Sequence, residues 1–189
     1  MRRILSTCIF GGCFSLAAVC ATAQEVVHAL TGTVNNINLT ARTITVITDD
    51  GSDGTFKDLT NPKAAIEFDK DIRTDATAAD EFQKTGVHVI VYYYGFGTVR
   101  TVVALRSLGS GPFTKSNGSV VKFEKGEHSV SIKDQSGAIE SFKITRGTVA
   151  ETGIGAVDGL KFEPGKGEQL TVISTGVNGS ATALFINSM

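Results

Sequence analysis

The sequence predicts a mainly-β protein: two tandem five-stranded β-barrels, the first with a short α-helix between strands 3 and 4. Three observations lead there. One stretch occurs twice, as GTVNNINLTARTITVITDDG from Gly32 and as GSVVKFEKGEHSVSIKDQSG from Gly118. Inside both copies apolar residues, many of them β-branched, alternate with polar ones, the period of a half-buried strand. Gly, Asp and Ser clusters separate these runs at short intervals, as hairpin turns require.

The two copies align element by element. At an offset of 86 residues Gly32 pairs with Gly118, Val34 with Val120, Ile44 with Val130, Val46 with Ile132 and Phe56 with Phe142. Further on the offset becomes 81, pairing Gly86 with Gly167, Val91 with Val172 and Leu105 with Ile186. These matches define a duplicated unit of about 80 residues, half the size of an ordinary domain. Each unit opens with a long strand, turns near Ala41 or Glu127, and continues into TITVIT or SVSIKD. Ile44 and Val46 share one face there, with Thr43 and Thr45 on the other. DDGSDG or DQSG then turns the chain into a third strand around Phe56 or Phe142.

DATAADEFQKTG has Asp75 or Thr77 as a cap, good helix formers after it and Gly86 to stop it, and so predicts a helix of two to three turns. In the second unit the glycines of ETGIGAVDGLKFEPG make any helix shorter or absent. VHVIVYYY and TVRTVVALRSL close the first unit, EQLTVIST and SATALFIN the second. Curling five such strands into a barrel buries one face and removes most edges. The arrangement resembles an OB-like barrel. More narrowly, the G-x-V opening, the TITV…DG second strand and the G-x-x-V-x-V fourth strand resemble small repeat domains of unknown function in bacterial secreted proteins. That resemblance implies a fold and an exported home, and carries no catalytic residues.

Residues 1–23 are expected to be a signal peptide. Arg2 and Arg3 precede a charge-free apolar run, and Ala21-Thr22-Ala23 offers small residues for cleavage before Gln24. The run is short and diluted by Gly, Ser and Thr, so a permanent membrane helix is the weaker reading, and no transmembrane segment is expected after cleavage. The chain then divides into a first repeat at 24–108, a linker at 109–113 and a second repeat at 114–189. The expected location is exported, periplasmic or extracellular. Lipidation at Cys20 is disfavoured because Val19 stands where a small residue belongs. All three cysteines, Cys8, Cys13 and Cys20, fall in the leader, which leaves the mature chain without disulfides or thiol ligands. Loss of Arg2 and Arg3 leaves 16 Lys plus Arg against 19 Asp plus Glu, a net charge of −3 with His neutral. Such a surface lacks the basic footprint of a nucleic-acid binder.

Few residues invite chemistry. Asp49, Asp50 and Asp53 cluster in DDGSDG and are weak candidates for a hard cation. The spacing departs from an EF-hand loop, and Gly and Asp are also what a hairpin turn needs. His28, His88 and His128 share no metal-ligand spacing. On the fourth strand Val89, Val91 and Tyr93 take the inward phase, leaving His88, Ile90, Tyr92 and Tyr94 on the other face. Tyr92 and Tyr94 could form an aromatic strip for stacking bases or sugars. Coverage of that face by the second unit accounts for the same pattern, Ile90 included, and is preferred. Tyr92, Tyr94, His88 and Arg100 are the candidate ligand-binding residues.

The functional expectation is an exported non-catalytic binding or structural module of the envelope or extracellular space. No catalytic residue and no cofactor is assigned. Its partner is an unknown glycan, protein or envelope component. Two alternatives stand beside it: a secreted hydrolase using acidic residues of the first repeat, among them Asp69, Asp71, Asp75, Asp80 and Glu81, and single-stranded nucleic-acid binding through Tyr92 and Tyr94.

Overall fold

A computed structural model describes residues 26–58, 72, 75–95, 97, 100–176 and 181–188, without the side chains of Asp53 and Asp58. The leader, Cys20, Asp69 and Asp71 lie outside these residues. The described chain is mainly β and forms two sheets. The first holds β1 (His28–Asn38), β2 (Thr43–Thr48), β3 (Asp53–Asp58), β4 (Thr77–Ala78), β5 (His88–Tyr94) and β6 (Thr101–Gly109). The second holds β7 (Thr114–Glu124), β8 (Ser129–Lys133), β9 (Ile139–Lys143), β10 (Val149–Thr152), β11 (Gly155–Asp158), β12 (Gln169–Thr175) and β13 (Ala181–Ser188).

The first sheet runs β3-β2-β1-β5-β6-β4, and β3 also pairs in parallel with β6 through Lys57–Thr101 and Asp58–Val102. The second runs β11-β10-β13-β12-β7-β8-β9, and β13 also pairs in parallel with β9 through Ala181–Phe142 and Thr182–Lys143. The long opening strand of each sheet serves two neighbours. β1 pairs with β5 over residues 28–33 and with β2 from Gly32 onward, and its register shifts between Val34 and Asn36. β7 does the same with β12 and β8, with its shift between Val120 and Lys122. A bulge bends a strand and sharpens its twist, which lets one strand pass from one neighbour to the next.

Gly32 and Gly118 sit where the strands cross most closely. A Cβ on Gly32 would lie 2.4 Å from the Ile47 carbonyl oxygen, and one on Gly118 would lie 2.5 Å from that of Lys133. Next to each bulge the same pair of bonds recurs. Val34 N–H donates to Val87 O (3.0 Å) and Val34 O accepts from Gly86 N–H (2.8 Å). Val120 N–H donates to Glu168 O (2.8 Å) and Val120 O accepts from Gly167 N–H (2.8 Å).

Each sheet wraps its own core. Val34, Ile44, Val46, Phe56, Val91 and Leu105 are buried in the first, and Val120, Val130, Ile132, Phe142, Val172 and Ile186 in the second. A third buried cluster joins the two sheets: Val27, Ala29, Ile90, Tyr92 and Ala104 pack with Val149, Ile173 and Phe185. The outward face of β5 is therefore covered by the second sheet. Burying Ile90 and Tyr92, both 0% exposed, stabilises the joint by about 1.5–3 kcal/mol per side chain.

Two expectations need correction. Residues 75–86 form no helix. Thr77 and Ala78 pair with Leu105 and Ala104 of β6, and Ala79 N–H donates to Val103 O (3.2 Å). Those contacts claim the backbone at the start of the predicted helix. The chain then makes a single turn, closed by Phe82 N–H on Ala78 O (3.1 Å), which buries Ala79 and Phe82. Helix propensity yields here to pairing and burial. The strand count is also higher than five per unit. β4 is added to the first sheet. The β10–β11 hairpin and a 3-10 turn at Gly159–Lys161 stand in the second, where any helix was expected to be short or absent.

Candidate functional site

The turn after β2 brings most of the charge-bearing candidates together. Gly51 has φ +85°, a conformation glycine adopts at little cost, and its N–H donates to Thr48 O (2.9 Å). Asp50 Oδ1 accepts from Ser52 N–H (2.8 Å) and from the Thr48 hydroxyl. These bonds, Thr48 first and Ser52 second, lower the Asp50 pKa to about 2. Asp49 N–H donates to Thr31 O (3.1 Å), which fixes the turn against β1.

The Asp49 carboxylate turns toward β5. Its Oδ2 lies 3.2 Å from Nε2 of His88, and among the described residues neither atom has a well-aligned hydrogen-bond partner. Nδ1 of the same ring is 3.3 Å from the Thr33 hydroxyl, and the ring stacks on Phe113 at 4.9 Å between centroids. Burial alone would raise the Asp49 pKa, but hydrogen bonds from His88 and then Thr31 outweigh it, and the carboxyl titrates below its ordinary value.

Arg100, just before β6, completes the charged set. Its guanidinium carbon lies 4.7 Å from the Phe56 ring centroid and 5.6 Å from that of Tyr93, and its buried Nε has no hydrogen-bond partner among the described residues. Cation–π attraction holds such a group where water is scarce. From the second sheet, Lys115 on β7 donates through Nζ to Asp49 O (2.7 Å). Between the sheets lies a cleft of about 380 Å³, lined by Asp49, Asp50, Arg100, Lys115, Asn117 and Thr171 among others. The Thr171 hydroxyl donates to Asn117 Oδ1 (2.6 Å) on its wall.

Of the residues chosen from sequence, Asp49, Asp50 and Arg100 line this cleft, and His88 stands directly behind Asp49. Tyr92 does not. It is wholly buried in the joint between the sheets, its hydroxyl donating to Ile72 O (3.1 Å), and burial pushes its pKa up to about 12. Tyr94 is half-buried at the end of β5, so the two tyrosines form no open strip. The side chain of Asp53 is outside the described residues. Asp49 and Asp50 are both engaged by protein groups, and among the described residues no three His, Cys, Asp or Glu side chains converge as metal ligands. Asp75, Asp80 and Glu81 are exposed on the far loop. Lys115, Asn117, Thr171 and Asn187 were missed. They are ordinary polar residues on alternating strands, and only the packing of one sheet on the other gives them a shared cavity.

The charges decide what the arrangement can do. It offers two carboxylates held ionised, two cations, and amide and hydroxyl groups from both sheets. An acid with a pKa of about 2 gives up no proton at neutral pH. The Asp49–His88–Thr33 order has the sense of a carboxylate–imidazole–hydroxyl relay, but neither Thr33 nor His88 lines the cleft. No protein-family model matches this chain, and no curated protein matches it.

The low Asp50 pKa gives a testable pH dependence. A depressed carboxyl contributes stability that is present above its unfolded pKa of 3.8 and is lost as pH falls through about 2. Asp50 is exposed, so the contribution is at most about 1 kcal/mol. Asp50→Asn is expected to melt below the wild type at pH 6, with the gap closing toward pH 2. Calorimetric scans of both proteins across that range check this, and a constant gap would remove the assignment.

Proposed function

We propose that this chain is an exported, non-catalytic binding or structural module of the envelope or extracellular space. It is built as two OB-like β-barrels in tandem, each closed by five of the strands of its sheet, with its ligand site in the cleft between them. The barrel reading draws support from the parallel β3–β6 and β9–β13 pairings, which join the two ends of each five-strand order β3-β2-β1-β5-β6 and β9-β8-β7-β12-β13. Duplication is supported by the glycine crossings and bulge bonds that recur at the spacing seen in the sequence. Export rests on the N-terminal residues alone.

The observation that carries the binding reading is the cleft itself. Its charged groups come from both sheets, and Asp49, Asp50 and Lys115 are tied to protein partners, as suits recognition of a small polar ligand and does not suit proton transfer. An oligosaccharide or peptidoglycan fragment matches its mix of hydroxyl, amide and charged groups. The nucleic-acid alternative loses the stacking platform it needs, since Tyr92 is buried. The hydrolase alternative lacks a paired acid and base among the described acidic residues of the far loop.

The test is thermal unfolding of the chain from Gln24 against Ca²⁺, transition metals, oligosaccharides, peptidoglycan fragments and single-stranded DNA. A ligand at one hundred times its Kd adds about 2.7 kcal/mol. A rise in Tm with a saccharide fragment is expected, and it should disappear in Asp50→Asn with Asn187→Ala. No shift with any member of the panel, or a shift indifferent to those substitutions, removes the cleft as a ligand site.

A further inference from the structure

The two opening strands differ in what lies beside their outer edges. In β1, Val34 turns its backbone groups toward Gly86 and Val87, on the β5 side. Alternation along the strand turns Val27 and Ala29 the opposite way. That edge is covered by the β10–β11 hairpin of the second sheet. Ala29 N–H donates to Glu151 Oε2 (2.7 Å), and Val27 O accepts from Ala156 N–H (2.9 Å). The fit is close enough that a Cβ on Gly155 would lie 2.7 Å from Val27 O.

In β7, Val120 turns toward Gly167 and Glu168 on the β12 side, so Lys115 and Asn117 turn their backbone groups the other way. β8 pairs with β7 no further than Ser119. Beyond that point residues 114–119 line, in unbroken succession, a groove of about 810 Å³. Side chains alternate across a sheet, so consecutive residues share a groove only when the strand presents its edge. Lys115 is the counterpart of Ala29 at the sequence offset, and among the described residues no hairpin covers its edge.

We propose that the outer edge of β7 at residues 114–118 is a strand-addition site for an extended, acidic segment of a partner protein. Main-chain hydrogen bonds to an open edge supply affinity in such contacts, and flanking side chains select the sequence. The acidic character follows from the covered edge, because the groove itself is charge-balanced, with Lys115 and Lys133 against Asp134 and Glu140. Lys133 is exposed at one side of the open edge, and Lys115 Nζ donates to the Asp49 carbonyl beside it. Glu151 on the covered edge shows the expected contact, a carboxylate taking the strand's outward N–H.

The chain supplies its own probe, a synthetic peptide with the sequence of residues 148–159, TVAETGIGAVDG. Titrated into the chain from Gln24, it should slow amide exchange at Lys115 and Asn117. Lys115→Pro, which removes only an outward N–H from the ladder, should weaken binding about tenfold more than Lys115→Ala does. A peptide with Gln in place of its Glu should bind more weakly. Absence of binding at millimolar peptide overturns the proposal, as does equal loss in the two Lys115 variants. So does loss of protection at the chain's own Ala156, which means the peptide has displaced the hairpin. Self-association that protects Lys115 and Asn117 before peptide is added overturns a foreign partner in favour of a second copy of this chain.

Discussion

Replacing Gly32 by alanine is expected to cost about 2–3 kcal/mol and lower Tm by about 5–10 °C. The new Cβ would lie 2.4 Å from Ile47 O, 2.7 Å from Val46 Cγ1 and 2.8 Å from the Thr48 Cα. Two of these three neighbours are backbone atoms of the strand next door, so relief requires β2 to move off β1. That movement pulls Val46 and Ile44 out of the first core, where they are 0% and 1% exposed. Gly118→Ala meets the Lys133 carbonyl at 2.5 Å and should cost about as much in the second sheet. Gly126→Ala is the control, because a Cβ there meets nothing within 4 Å. Thermal or urea unfolding of the three variants decides the matter. A Gly32→Ala protein as stable as Gly126→Ala would mean the crossing is looser than described, and the steric account of the repeated glycine would fail.

Much of this was open to sequence reasoning because it is local or periodic. The alternation in TITVIT places Ile44 and Val46 inside because the period of a strand leaves no other choice. On β5 the same phase puts Val89 and Val91 in the first core and Ile90 and Tyr92 on the opposite face. The preference for covering that face by the second unit agrees with the buried cluster that Ile90 and Tyr92 form with Val149, Ile173 and Phe185. The failures are non-local. Thr77 and Ala78 look helical in isolation and are held extended by β6. GIGAVDG reads only as too glycine-rich for a full helix, yet Gly155 with φ +108° is what allows β11 to lie against Val27. The cleft was half legible: Asp49, Asp50, His88 and Arg100 attract notice by type, while Lys115 reaches Asp49 across a sequence separation that no pattern marks. Tyr92 attracted notice for the right reason and is used differently, as a packed side chain of the joint.

Glu151 governs that joint, and two substitutions there are expected to act in opposite senses. Its carboxylate accepts Ala29 N–H (2.7 Å) and lies 2.6 Å from His28 Nδ1, one oxygen to each. Burial pushes its pKa above the ordinary 4.5, against the lowering effects of His28 and Ala29. A raised carboxyl binds its proton more tightly folded than unfolded. Stability therefore falls as pH rises from about 4.5 through the folded pKa, and the ionised group at pH 7 carries a desolvation cost. Glu151→Gln keeps an oxygen for Ala29 N–H and a donor for His28, and removes that cost. It should be as stable as the wild type or slightly more so at pH 7, with a flatter profile between pH 4 and 7. Glu151→Ala instead leaves the Ala29 N–H without an acceptor and should cost about 1–3 kcal/mol. Because Glu151 touches neither sheet's own core, the loss should fall on the joint: amide exchange should quicken at Ala29 and Ala156 while Ile44 and Val130 stay protected. If Glu151→Gln proves as damaging as Glu151→Ala, the negative charge itself holds the sheets together, and the buried carboxylate stabilises the joint where burial alone predicts a cost.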